Sequence, residues 1–254
     1  MSIINIIPIG SGSTGNSIYI ELGERKILVD MGIGFKAIRD TLNIHGRDIK
    51  DIEAIFVTHG HYDHTKACVP ICNNTSCNIY CDPSAMYPIR NARAEKIAIE
   101  MNKEFEPLPD LFVRSFSVPH DYVKTCAYTF VYKGHKLGYL TDCGKMSDQI
   151  LNELCGSDVV IIESNHDVEM LKNGPYPKDL QKRILSKYGH LSNDDCASSI
   201  EYLFEKGTKN FILAHLSEKN NTPELALQTT LDKLKGTDAF VYACLARNED
   251  LLSF

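Results

Sequence analysis

The sequence predicts an α/β fold in which sheets pack between helices, and three observations predict it. Up to Asp30, β-branched residues cluster on both sides of the turn Gly23-Glu24-Arg25, as paired opening strands do. From residue 34 onward, segments with helical spacing alternate with short apolar runs. The run Asp158-Val159-Val160-Ile161-Ile162 is apolar without alternation, the pattern of a strand buried on both faces. Early hairpins followed by alternating helices and strands place sheets between helical layers. The chain has 254 residues, 43% hydrophobic and 24% charged, enough for a sizeable core. It has no Gly/Ser-rich or Pro-rich linker and no tandem repeat, so one domain over 1–254 is expected.

Taken in order, residues 3–9, 16–22 and 26–30 read as strands. Residues 34–44 carry Phe35, Ile38 and Leu42 at helical spacing. Residues 52–58 form a short apolar strand that runs into a histidine-rich loop. Residues 83–101 read as a helix begun by Pro83, although Pro88 inside the span disturbs its start. Strands follow at 111–118, 127–132 and 136–141, a helix at 146–155, and the buried strand at 158–162. The remainder reads as helices at 178–188 and 192–205, a strand at 209–214, a helix at 223–234 and a strand at 239–242.

The opening Met-Ser-Ile-Ile-Asn-Ile-Ile-Pro-Ile-Gly lacks a basic n-region and a small-residue cleavage site, so no signal peptide is expected. No apolar run approaches the roughly 18 residues of a membrane span. Nine cysteines without a secretory signal read as free thiols in a reducing cytoplasm. A net charge of −6 argues against broad attraction to nucleic acid, but bound divalent cations would reverse the charge where a phosphate sits.

The chemistry concentrates at the end of the 52–58 strand. His59, His61, Asp63 and His64 fall within six positions, in a loop short enough to aim several side chains at one point. Imidazole and carboxylate together suit zinc, manganese or iron. A solvated polar loop is the plain alternative. Three more positions each follow a strand-like run: His120 after Phe116-Ser117-Val118-Pro119, Asp142 after Leu140-Thr141, and His215 after Phe211-Ile212-Leu213-Ala214. Singly each reads as a loop residue; with the cluster they make seven ligands, enough for two metals with positions left open.

This ordered set resembles the motif series of the metallo-β-lactamase superfamily over nearly the whole chain. The resemblance implies a four-layer αββα sandwich of two similar halves with the metals at one edge of the sheets. It also implies that His59, His61 and His120 hold one metal, that Asp63, His64 and His215 hold the second, and that Asp142 bridges them. Further segments are similar to the stand-alone exonuclease branch, the YycJ/WalJ type: Gly10-Ser11-Gly12-Ser13-Thr14-Gly15-Asn16-Ser17, Val118-Pro119-His120-Asp121, Tyr139-Leu140-Thr141-Asp142, Glu163-Ser164-Asn165-His166-Asp167, Gly189-His190-Leu191-Ser192 and Leu213-Ala214-His215-Leu216-Ser217. That branch implies a 5′–3′ DNA exonuclease with a nucleic-acid substrate, DNA before RNA. Its last segments also resemble the loops of tRNase Z. Many members place Gly three positions after the last loop histidine, where this chain has Ala67.

The implied chemistry is attack on phosphorus by a hydroxide shared between two zinc or manganese ions. Asp63 would orient it or take its proton, and His190 would give a proton to the leaving oxygen, with Glu163 orienting His190. His190 has a plainer reading as part of a helix start, although Ser192 or Asn193 serves there equally. Glu163 reads equally as a brace for its loop, and Asp30 as a support for the metal loop or as a turn residue. The Gly10–Ser17 turn lacks the lysine of a phosphate-binding loop and reads as structural. Cys68, Cys72, Cys77 and Cys81 are spaced too widely for the usual paired zinc ligands and read as buried thiols. Cys143 beside Asp142 reads as a thiol near the metals.

The alternatives have sequence discriminators. True β-lactamases of this superfamily carry a secretory signal, and its thioesterases lack the Gly-His-Leu-Ser segment. Its large nucleases carry an extra domain, whereas Asp142 and His190 lie 48 positions apart here. A small-molecule cyclic or alkyl phosphodiesterase is the second expectation. A metal-dependent regulatory protein without turnover is the third, opposed by the complete ligand set. Oligomeric state leaves no mark in the sequence.

Overall fold

The computed structural model describes residues 3–254. The first half supplies β1 (Ile4–Gly10), β2 (Ser17–Leu22), β3 (Arg25–Val29), β4 (Ala54–Val57), β5 (Asn78–Cys81) and β6 (Lys96–Ala98). The second half supplies β7 (Glu104–Leu108), β8 (Leu111–Val118), β9 (Thr125–Tyr132), β10 (His135–Leu140), β11 (Val159–Glu163), β12 (Asn210–Ala214) and β13 (Phe240–Ala243). A last strand, β14 (Leu252–Ser253), returns to pair with β1. The two sheets have the orders β14-β1-β2-β3-β4-β5-β6 and β13-β12-β11-β10-β9-β8-β7.

Each half repeats one plan. An antiparallel meander, β1–β3 or β7–β10, passes into parallel strands, β3–β6 or β10–β13. Parallel neighbours need crossovers, and helices provide most of them. Helix α1 (Phe35–Ile44) lies between β3 and β4, while α2 (Tyr62–Thr65) and α3 (Cys68–Cys72) follow β4. In the second half α4 (Asp148–Leu154) precedes β11, α5 (Val168–Asn173), α6 (Lys178–Ile184) and α7 (Asn193–Glu205) precede β12, and α8 (Pro223–Lys233) precedes β13.

Three apolar layers follow from this order. The middle one joins the sheets and contains Ile18, Ile20 and Phe56 from one half with Tyr128, Phe130 and Ile161 from the other. One outer layer packs Ile38 and Leu42 of α1 against Leu28 and Ile55; it also takes in Cys68, Cys72, Cys77 and Cys81 as buried free thiols. The other packs Ile150, Cys196 and Ile200 against Val160, Ile162 and Leu213. The result is the expected four-layer αββα sandwich.

The expected helix at 83–101 is absent. Asp82 caps only a single turn, through Oδ1 and the Ser84 N–H, and Pro88 removes the N–H that a continuing helix would need. The segment ends instead as β6, which extends the sheet beside β5. Strand β7 and the short helices α2, α3 and α5 are also additions to the sequence reading, and α6 stops at Ile184 rather than 188.

Phe56 ties the middle layer to the histidine loop that follows β4. Its ring stacks on Tyr80 at 5.2 Å and meets Tyr128 and Phe130 edge-on at 5.6 and 5.0 Å. The buried Tyr128 hydroxyl donates to the Val57 carbonyl at 2.7 Å, so a second-half strand holds the end of β4. Phe56→Ala is expected to cost about 3–5 kcal/mol of stability, because a rigid three-ring cage cannot collapse into the cavity. Urea unfolding measures this, and a loss below about 1 kcal/mol would show that the middle layer does not hold β4.

Candidate metal centre

Six strands deliver side chains to one end of the sandwich. Asp30 follows β3, the loop Thr58–His64 follows β4, and His120 follows β8. Asp142 follows β10, Glu163 ends β11, and His215 follows β12. Carboxyl ends of parallel strands are where open α/β sheets build sites, because neighbouring loops diverge there. Three of these residues have left-handed backbones despite their side chains: Asp30 (φ 61°), Asp142 (φ 57°) and His215 (φ 57°). Each bends the chain sharply as its strand ends, at a cost of order 1–3 kcal/mol that the surrounding structure must absorb.

The seven side chains singled out as ligands converge. Ligand atoms of His59, His61 and His120 lie within 4.8 Å of one another, as do those of Asp63, His64 and His215. Asp142 joins His59 and His64 in a third such group, and joins Glu163, His190 and His215 in a fourth. His59, His64, His120, Asp142 and His215 are buried, whereas His61 and Asp63 are half-buried at the opening.

The hydrogen bonds fix which ring nitrogens face inward. His64 Nδ1 donates to Asp30 Oδ2 at 2.7 Å, His215 Nδ1 to Glu163 Oε1 at 2.7 Å, and His120 Nδ1 to the Gly189 carbonyl at 3.1 Å. Each acceptor is a carboxylate or carbonyl oxygen, so Nδ1 carries the hydrogen and Nε2 is left for the centre. Those three Nε2 atoms surround one carboxylate: His64 lies 3.3 Å from Asp142 Oδ2, and His120 and His215 lie 3.5 and 3.6 Å from Oδ1. His59 Nε2 and His61 Nδ1 likewise face each other at 2.9 Å.

That arrangement tests whether metal ions fit. Neutral imidazoles pointing Nε2 at a carboxylate set lone pair against lone pair, which is favourable only with a proton or cation between them. Among the described residues, Asp142 Oδ2 and His215 Nε2 are buried without a hydrogen-bond partner. Buried atoms left unsatisfied in this way are ones that a bound ion would satisfy. Without a cation, protons fill the role. Burial opposes protonation of His64, yet the Asp30 and Asp142 charges and the Asp30 hydrogen bond lift it to about 10. His215 rises to about 9 against the same burial cost, through Asp142 and its bond to Glu163. Burial pushes Asp142 up, but the charges of His215, His64, His59 and His120 outweigh it and hold it well below the usual carboxylate range. The donor set is nitrogen and oxygen without thiolate, which suits zinc or manganese. The residues fit.

The backbone beneath the loop is closely sewn. Asn16 N–H donates to the Asp63 carbonyl at 2.8 Å, Met31 N–H to that of His64 at 2.7 Å, and Ala67 N–H to that of Met31 at 2.7 Å. A Cβ on Gly32 would stand 1.5 Å from the Asp63 carbonyl oxygen, so glycine alone permits this approach. Ala67 is itself buried in the loop's support, so lacking glycine there does not displace the histidines.

Asp30 reads as support rather than turn alone: Thr58 N–H and Oγ1 both donate to its carboxylate at 2.9 Å, beside His64. Glu163 is fully buried and accepts from His190 Nδ1 at 2.8 Å as well as from His215, through the same oxygen. Its other oxygen accepts from the Cys143 and Leu191 N–H groups at 2.8 and 3.1 Å. Burial raises Glu163, but the His190 charge and the two histidine bonds outweigh it and bring it to about 2. Ser192 supplies the N-cap of α7, accepting from Asp195 N–H at 3.1 Å, so His190 is not needed as a cap. The Cys143 thiol is buried and raised by burial first and the Glu163 charge second, which leaves it inert.

Several residues at the site were not singled out from sequence. Asn16 Nδ2 lies 3.1 Å from His64 Nε2, and Ser11 Oγ accepts from the His215 N–H at 2.7 Å, so the Gly-rich opening turn buttresses both halves of the cluster. Asp121 Oδ1 lies 3.1 Å from His120 Nε2, and Arg183 pairs with its other oxygen at 3.3 Å. The Tyr122 ring packs edge-on against His59 and His61, its hydroxyl bonded to the Ser84 carbonyl. The opening turn and the Val-Pro-His-Asp segment carried a signal for these contacts; nothing in the sequence marked Arg183. A cavity of about 250 Å³ opens over the cluster, with Arg183, His190 and Ser217 on its wall.

The comparisons with known proteins agree with this architecture. A family model described as a beta-lactamase superfamily domain matches residues 25–216. The chain is 35% identical over 237 residues to the exodeoxyribonuclease WalJ of Streptococcus pneumoniae, covering 91% of this chain and 88% of that one. It is 36% identical over 222 residues to the exodeoxyribonuclease YycJ of Bacillus anthracis, covering 86% and 84%. The crystal structure of the metallo-beta-lactamase fold protein YhfI from Bacillus subtilis superposes with a TM-score of 0.75 at 15% identity, over 98% and 99% of the two chains.

Asp30→Asn is expected to weaken metal binding about 10- to 100-fold while the protein stays folded, since it removes the charge behind His64. Metal content after dialysis against graded chelator reads this out; unchanged retention would show that Asp30 does not support the centre.

Proposed function

We propose, on the premise that the chain belongs to the beta-lactamase superfamily and has the metallo-β-lactamase fold, that it is a metal-dependent phosphodiesterase acting as a 5′–3′ DNA exonuclease. The observation that carries the reading is the similarity to two exodeoxyribonucleases over most of both chains. The geometry supplies the chemistry. We assign His59, His61 and His120 to one divalent cation, Asp63, His64 and His215 to a second, and Asp142 to both, with zinc or manganese as the ion. When bound, such cations neutralise a phosphodiester and make water a competent nucleophile near neutral pH.

The rest falls to the chain's own residues. Asp63 lines the cavity, half-buried at its opening, where its carboxylate can orient an attacking water. His190 gives its Nδ1 hydrogen to Glu163, which leaves Nε2 free to hold a proton for the leaving 3′ oxygen. Glu163, ionised far below neutrality, stabilises the imidazolium and keeps the ring from turning. We take 1–254 as one domain, supported by the middle core that both sheets share. Among the described residues no helix is long and apolar enough to cross a membrane, and nine free cysteines fit our placement in the reducing cytoplasm.

With manganese or zinc supplied, the protein should release mononucleotides from 5′-phosphorylated DNA. Hydrolysis of bis(p-nitrophenyl) phosphate without action on DNA or RNA would instead make it a small-molecule phosphodiesterase. His190→Ala should lower kcat about 10²- to 10⁴-fold with both metals retained. Full turnover with full metal content would remove the role given to His190.

A further inference from the structure

The central cavity is too small for the substrate the proposed reaction requires. Its volume of about 250 Å³ falls below the roughly 300–1,000 Å³ of sites that enclose a whole small molecule. It holds the reacting phosphodiester and little more. A DNA strand must therefore continue outside it, across a wall that accepts both phosphate and base.

One neighbouring cleft answers that description. It adjoins the cavity at His120, which lines both, and its volume is about 600 Å³. Three lysines line it, Lys124, Lys145 and Lys187, and no Asp or Glu does. In a chain of net charge −6, a cleft whose lining carries lysines and no carboxylate is a local reversal of the protein's field, although Lys124 Nζ also lies 3.6 Å from Asp82 Oδ2. The cleft is also apolar in part. Val123 is 83% exposed and Tyr188 is 49% exposed, both on its wall, and Lys187 Nζ sits 4.8 Å from the Tyr188 ring centroid. Cations beside an exposed aromatic face make up the surface that grips a single strand, with phosphates on the lysines and a base on the ring.

The cationic lining has an end. The next cavity, which shares Lys145 and Lys187, also carries Asp148 and Asp195. Only a short stretch of strand is held before the surface turns acidic.

We infer that the cleft bounded by Lys124, Lys145, Lys187 and Tyr188 is the binding track for the DNA strand adjoining the scissile phosphodiester. This rests on the nuclease reading above. The lysines take backbone phosphates, so they contribute affinity without regard to sequence. Tyr188 stacks a base and distinguishes a nucleic acid from any other polyanion.

The test uses metal-loaded protein and two substrates. Lys124→Ala/Lys145→Ala/Lys187→Ala should raise KM for a 5′-phosphorylated DNA oligonucleotide about tenfold or more, with kcat nearly unchanged. Hydrolysis of bis(p-nitrophenyl) phosphate, which fits the central cavity alone, should be untouched. Binding is read separately, by fluorescence anisotropy with an oligonucleotide carrying phosphorothioate linkages at its 5′ end. The slope of log K against log salt should shrink by about 2 in the triple variant, at about 0.7 per phosphate contact on a single strand. Tyr188→Ala should weaken oligonucleotide binding roughly 5- to 150-fold, the equivalent of about 1–3 kcal/mol per stacked base, but leave competition by polyglutamate unchanged. Unchanged affinity and salt slope in the triple variant would overturn the track. Equal effects of Tyr188→Ala on oligonucleotide and polyglutamate would make it a general polyanion surface and overturn it as well. A wild-type protein that binds oligonucleotide through these lysines without cutting it would sink the nuclease reading and leave the track standing.

Discussion

The structure turns on one carboxylate with too many nitrogen lone pairs around it. Asp142 is buried with the Nε2 atoms of His64, His120 and His215 aimed at its oxygens, and each ring has already given its Nδ1 hydrogen elsewhere. Such a cluster is unstable as drawn from its own atoms. It needs positive charge in its midst, as protons or as metal ions, and the raised His64 and His215 show how strongly it draws that charge. Everything outside the cluster then works to keep the ligand atoms in place until the charge arrives.

That work is shared by carboxylates and by backbone. Asp30 and Glu163 stand behind the histidines, each fully buried and each with several donors. Their hydrogen bonds select the tautomer, and a fixed tautomer is what allows Nε2 to bind a cation. The left-handed residues Asp30, Asp142 and His215 occupy strand ends where the chain would otherwise continue straight. Their conformational cost is local, whereas the sheets that hold them are anchored by all three apolar layers. The Gly32 contact with Asp63 shows the same economy of space, because any side chain there would lift the histidine loop from its seat.

This division explains what the sequence made legible. The histidine loop stood out because four ligand-type residues fall within six positions, and His120, Asp142 and His215 gained meaning only beside it, each following an apolar run. The parallel strands β4, β11 and β12 were legible because their runs are apolar throughout, whereas β5 was not picked out and β6 lay inside the span misread as a helix. The span 83–101 misled because its apolar residues have no period that separates a helix from an extended edge, and Pro88 decided the matter locally. Strand β7 is short and half-exposed, so alternation barely registers over Glu104–Leu108. The contacts of Asn16, Ser11 and Arg183 depend on loops far apart in sequence meeting at one edge of the sandwich. Ser11 and His215 are 204 positions apart, and no local pattern encodes that meeting. Glu163 was read as a partner of His190; its equal hold on His215 became visible only with the sheet assembled.

The shared oxygen of Glu163 has a consequence for how the site works. Oε1 accepts from His215 on the metal side and from His190 on the cavity side, at 2.7 and 2.8 Å. Positive charge gained by either ring is felt by the other through one carboxylate in a low-dielectric setting, where such coupling is strong. A cation held by His215 would therefore bear on the same carboxylate that holds the His190 ring. The His215 ligand proposed for the metal and the His190 ring proposed as acid are thereby held by a single buried atom. Replacing Glu163 would remove the partner of both rings, whereas replacing His190 would leave His215 its bond to Glu163. The two residues are adjacent links of one chain, and their separate removal distinguishes the role proposed for the metal ligands from the one proposed for the proton donor.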